Sequence, residues 1–89
     1  MADNSESENY LRFLGALYLL TEGEVGVSVE IHQVCERADI PATENEDGGY
    51  AISTHLSKQG LVEERGQLLR FMVSLTPEGK ALVERYLSE

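Results

Sequence analysis

Tyr50, Ser53, Thr54, Ser57 and Lys58 recur at the three- and four-residue spacing that gathers side chains on one face of a helix. Hydroxyls donate and accept hydrogen bonds and a lysine ammonium is a mobile point charge. A face of this kind can contact base edges and phosphate oxygens. The same residue types also make an ordinary solvated helix face, and the sequence leaves both readings standing. Ala51, Ile52 and Leu56 are expected on the opposite, inward side.

A second set is His32, Cys35 and His55. Imidazole and thiolate are zinc ligands, and His32 and Cys35 lie one helical turn apart. Cys35, however, falls on an apolar stripe and no fourth ligand is spaced to join the three, whereas zinc sites ordinarily show paired ligands at fixed spacing. Packing is the expectation, with no metal. No Gly-rich phosphate loop, nucleophile elbow or acidic metal cluster occurs. Glu63 and Glu64 alternate to opposite faces of a strand and read as a solvated edge. No enzymatic activity and no cofactor are expected.

The chain that positions these groups has 89 residues, the size of one small domain. Such a domain buries only about 60% of its unfolded surface, so pairing with a second copy would add stability. It is 42% hydrophobic and 26% charged, as in globular domains, and no apolar run approaches the ~20 residues of a membrane span. The N-terminal residues lack the basic and apolar segments of a secretion signal. The single cysteine excludes an internal disulfide and suits a reducing compartment, so a cytoplasmic location is expected. The net charge is −9, with only seven cations, which restricts any contact with phosphates to a few residues.

Residues 1–8 read as an acidic, unstructured leader, and 9–89 as one domain. The first helix is expected to start near Ser7 or Asn9. Between Tyr10 and Leu20 it is apolar almost all round, a pattern that demands burial on two sides. The second side is supplied either by a partner copy or by the leader or last helix, under which Leu11, Leu19 and Leu20 would tuck. A turn follows at 21–26, with a short edge strand at Val25 to Val27. Ser28 is placed as the cap of a helix from Val29 to Ala38, whose Ile31, Val34, Cys35 and Ala38 form a core stripe. Pro41 stops it. After the acidic stretch 39–47 a third helix is expected from Gly49 to Gln59, with Asp47 as cap and Gly60 as stop. Leu61 to Arg65 and Leu69 to Leu75 read as two strands joined by a turn at Gly66 and Gln67. Thr76 and Pro77 open a last helix, with Gly79, Leu82, Val83, Tyr86 and Leu87 as its buried stripe. The fold class predicted is α+β, mainly α: a winged helix-turn-helix of three helices, a small β-hairpin wing and a C-terminal helix.

The segment LSKQGLVEE followed by RFMVSLTPEGKALVERYL resembles the second half of the MarR family of winged-helix transcription regulators, over Leu56 to Leu87. That resemblance implies a homodimer binding double-stranded DNA, with the third helix in the major groove and the wing near the minor groove. Tyr50, Ser53, Thr54, Ser57 and Lys58 would then face the groove, and Arg65 and Arg70 would contact phosphates. Pairing is expected through the first and last helices, at Tyr10, Leu11, Leu14, Tyr18, Leu82 and Tyr86. Against the family pattern, the wing is short, two glycines open the third helix and an acidic loop precedes it. Glu44, Glu46 and Asp47 would stand near the DNA backbone, where like charges repel. The same acids suit a protein-interaction module engaging a basic protein partner or mimicking nucleic acid.

Overall fold

The computed structural model describes residues 3–43, 48–67 and 70–88, with the side chains of 3–7 and 67 left aside. Element order is α1 (Asp3–Thr21), β1 (Val29–Glu30), α2 (Ile31–Ala38), α3 (Gly49–Lys58), β2 (Val62–Gln67), β3 (Arg70–Leu75) and α4 (Pro77–Leu87). Among the described residues no helix is long and apolar enough to cross a membrane. The three strands are antiparallel in the order β1-β3-β2. This is the winged-helix arrangement, in which α2 and α3 form the helix-turn-helix and β2 with β3 form the wing.

α1 is the hub and packs against α2, α3, α4 and two strands. Phe13, Leu14, Ala16 and Leu17 are buried, which explains why its sequence is apolar on more than one side. It begins at Asp3, ahead of Ser7, and so runs back into the 1–8 stretch read as a leader. Once a helix is nucleated, each added residue gains a hydrogen bond, and no Gly or Pro in that acidic stretch stops it.

Two expectations before α2 are corrected. The edge strand is Val29–Glu30, paired through Val29 with Val73 and Glu30 with Met72, and not Val25 to Val27. α2 accordingly starts at Ile31, and its cap position is Glu30, with no side-chain cap, not Ser28. Pairing with β3 keeps Val29 and Glu30 extended, which delays the helix. α2 ends before Pro41, at Asp39 in the left-handed region (φ 61°), where Ile40 N–H reaches back to Cys35 O at 2.9 Å and Asp39 N–H to Glu36 O at 3.3 Å. Arg12 closes this corner from α1, its guanidinium donating to Asp39 O at 3.3 Å.

α3 starts where two glycines make room. A methyl on Gly49 would overlap Cys35 Sγ, and one on Gly48 would overlap the Thr43 carbonyl. The first amides of the helix are taken by the chain's own carbonyls, Gly49 N–H by Pro41 O at 2.7 Å and Tyr50 N–H by Thr43 O at 3.3 Å. The cap position is Gly48, with no side-chain bond. The Asp47 cap expected from sequence lies outside the described residues. The end at Lys58 and the left-handed Gly60 (φ 76°) agree with the expected stop.

The hairpin register pairs Val62 with Leu75, Glu64 with Val73, Gly66 with Phe71 and Gln67 with Arg70. Gly66 and Gln67 therefore belong to β2 and not to the turn expected there. In α4 the predicted cap holds: Thr76 Oγ1 accepts from Gly79 N–H at 3.0 Å, with Pro77 in the first turn. Its buried stripe is narrower than expected, because Gly79 and Val83 are buried while Tyr86 and Leu87 are 56% and 70% exposed.

Replacing Gly49 by alanine is expected to lower stability by about 1–2 kcal/mol despite alanine's better helix propensity, because the added methyl meets a close-packed sulfur. Gly49→Ala placed on a Cys35→Ala background should cost almost nothing. Urea unfolding of the four chains in a double-mutant cycle measures the coupling.

Candidate nucleic-acid interface

The exposed side of α3 forms a hollow of about 360 Å³ lined by Tyr50, Ala51, Thr54, His55 and Lys58. Its floor is set by the helix period, since Gly49, Ile52, Ser53 and Leu56 turn into the protein. Its walls are fixed by rings from three other elements. Tyr10 of α1 stacks on His55 with centroids 4.4 Å apart and 15° between planes. Tyr50 meets Phe71 of β3 edge to face at 5.4 Å and His32 of α2 at 6.1 Å. Aromatic contacts of this geometry are worth about 0.5–1.5 kcal/mol each beyond their buried area, and they hold the Tyr50 and His55 rings that line the hollow.

Of the residues expected to face a groove, Tyr50, Thr54 and Lys58 share this hollow, and Ser57 is half-buried beside it. Ser53 does not belong with them. It is fully buried, and its hydroxyl donates to Glu64 Oε2 at 2.6 Å. The cause is helical: with Ile52 and Leu56 pointing inward, position 53 falls on the same arc. Ala51, expected inward, is half-buried and lines the hollow instead.

Arg65 and Arg70 are both exposed. The register places Arg65 opposite Met72 and Arg70 opposite Gln67, on the sheet face away from Val62, Val73 and Leu75. Glu64 falls on the other, inner face. From there its Oε2 also accepts from the Thr54 hydroxyl at 3.2 Å. Sequence reasoning placed Glu64 on a solvated edge; the alternation Val62, Glu64, Gly66 against Val73 was the signal that pointed inward. His55 was weighed only as a metal ligand, and its place beside Lys58 in the helix period marked it as part of this face.

Among the described residues no group of three His, Cys, Asp or Glu is arranged to hold a metal ion. Cys35 is packed in the core, and burial pushes its thiol pKa up. The residues Glu44, Glu46 and Asp47 lie outside the described residues.

The residues expected to pair two copies are dispersed. Leu14 is 1% exposed and belongs to the core, so it is not available to a partner. Tyr10, Tyr18 and Leu82 are half-buried against that core, and Leu11 is half-buried on α1. Tyr86 is open, together with Leu19 at 59%, Leu20 at 40% and Leu87 at 70%. Between α1, α4 and the end of α2 runs a mainly apolar cleft of about 450 Å³ whose walls include Gly15, Ala16, Leu19, Val83 and Leu87, with Arg12, Arg37 and Asp39 also lining it. At its rim the Tyr18 hydroxyl donates to Glu84 Oε2 at 3.1 Å, which raises the Tyr18 pKa.

This fold is shared by solved structures. AF1382 from Archaeoglobus fulgidus superposes with a TM-score of 0.75 at 20% identity, over 91% of this chain and 82% of its own. BpsR from Bordetella bronchiseptica, a protein whose DNA binding is regulated by 6-hydroxynicotinic acid, gives a TM-score of 0.68 at 20% identity over 90% of this chain. This chain spans about half of BpsR, 51% of its length. No family model and no curated protein matches the sequence.

Ser53→Ala should cost about 1–2 kcal/mol of unfolding free energy, since it removes a buried hydrogen bond to a carboxylate. Thr54→Ala, at an exposed position, should cost less than about 0.5 kcal/mol. Equal losses in urea unfolding would show that the two hydroxyls are not divided into an inner and an outer one.

Proposed function

We propose that this protein is a homodimeric transcription regulator of the MarR type that binds specific sites in double-stranded DNA, without enzymatic activity and in the cytoplasm. The observation that carries the reading is the hollow on the exposed side of α3, with the Thr54 hydroxyl, the His55 imidazole and the Lys58 amine in its lining, next to a wing with two outward arginines. An α-helix fits the major groove, and hydroxyl, amine and imidazole groups can meet base edges there. Tyr50, Thr54, Ser57, His55 and Lys58 are assigned to base and nearby phosphate contacts, with Arg65 and Arg70 on the backbone. The fold shared with BpsR supports the assignment.

The first amides of α3 already serve Pro41 and Thr43, so in this reading phosphates are held by side chains and not by the helix N-terminus. A dimer then neutralises about six phosphates through Lys58, Arg65 and Arg70, and the slope of log affinity against log salt should be no steeper than roughly −5. The net charge of −9 favours a second reading, in which the fold binds a basic protein partner through the region of Glu44, Glu46 and Asp47. Alanine at those three acids would abolish binding in that case, and leave DNA binding intact or stronger in the first.

Pairing is assigned to α1 with α4. Leu19, Leu20, Tyr86 and Leu87 form its centre and Leu11, Tyr18 and Leu82 its edge. Buried apolar area of this kind contributes about 25 cal/mol per Å².

Selection of duplex fragments from a random pool is expected to enrich a palindromic site with the natural protein and none with Lys58, Arg65 and Arg70 all changed to alanine. Failure of the natural protein to enrich any site at low salt would sink the DNA reading. Sedimentation equilibrium should show a dimer that Leu19→Asp combined with Leu87→Asp converts to monomer; a dimer surviving both changes moves the interface elsewhere.

A further inference from the structure

Glu64 reaches α3 from the inner face of the wing, and both hydroxyls it meets bond the same oxygen, Ser53 at 2.6 Å and Thr54 at 3.2 Å. An ionised carboxylate only accepts, so each hydroxyl must spend its single proton on Glu64. Ser53 is fully buried and holds the carboxylate in place. Thr54 is exposed and lines the hollow, and with its proton committed inward it turns only lone pairs outward.

We infer that Glu64 is a positioning residue that makes Thr54 an obligate acceptor, so that this position of the helix selects bases carrying an amino group in the major groove. The inference rests on the DNA-binding reading above. The amino groups are adenine N6 and cytosine N4, whereas guanine O6 and thymine O4 present lone pairs that a locked Thr54 cannot satisfy. An unconstrained threonine hydroxyl rotates and pairs with either kind. A wing residue thus sets what a helix residue reads, without touching the base itself.

The test compares base preference along the selected site for the natural protein, Glu64→Gln, Thr54→Val and Thr54→Ser, with thermal melts to confirm folding. The natural protein should favour adenine or cytosine over guanine or thymine by about fivefold at one position in each half-site, as one hydrogen bond warrants. Glu64→Gln can donate to Thr54 and release its proton, so it should flatten that position alone. Thr54→Val, an exposed change that leaves the fold intact, should flatten the same position, and Thr54→Ser should keep the preference. A merely structural Glu64 would instead weaken binding evenly at every position, and that result overturns the inference. So does a preference for guanine or thymine there, or its survival in Glu64→Gln. If the natural protein enriches no sequence, the DNA reading itself fails, which is a distinct result from enrichment without a change at this position.

Discussion

α2 and α3 meet where there is no space for a side chain on one partner. Gly49 sits against the sulfur of Cys35, and Gly48 against the carbonyl of Thr43. From that contact follows the position of the whole third helix. Its first amides fall within reach of Pro41 and Thr43, its buried arc lands on α1 and the sheet, and its open arc is left to form the hollow. Protein interiors are packed at crystal-like density, so an approach this close behaves as a fixed joint. The same logic recurs where α4 meets the start of the wing, because a methyl on Gly79 would overlap the Leu61 carbonyl.

The joint also accounts for the two glycines at the head of the third helix. Glycine is a poor residue inside a helix, at about 1 kcal/mol relative to alanine. Here it opens the helix, and the room it leaves lets carbonyl oxygens of the preceding loop do the capping that a side chain would otherwise do. Cationic side chains are then the remaining source of positive potential on this face, and the chain has few of them.

Most of the architecture was legible in the sequence. The hydrophobic period found all four helices among the described residues, Gly60 and Thr76-Pro77 marked boundaries, and alternation found the hairpin. What escaped depended on partners distant along the chain. Val29 and Glu30 look like the first turn of a helix until β3 claims them as a strand. Ser53 looks like a surface hydroxyl until Glu64 arrives from the wing to satisfy it. Leu14 looks as available as Leu19, because a helix apolar on every side does not say which side its own domain will use. Of the residues expected on the outer side of the third helix, Tyr50, Thr54 and Lys58 do line the hollow, where helix phase decides the outcome, whereas Ser53, on the boundary between the two arcs, is buried.

The wing's register carries a counting rule. β3 is shared between β1, which belongs to the core, and β2, which carries the wing. Arg65 and Arg70 point outward, and Glu64 inward, only because each lies at a particular parity from the Val73 rung. Inserting or deleting one residue in β2 between Val62 and Glu64 would turn the arginine inward and the glutamate out. Two residues could be gained or lost with every charge kept on its side. Length variation in this wing should therefore come in even steps below Arg65, leaving the hairpin tip as the place where odd steps are tolerated.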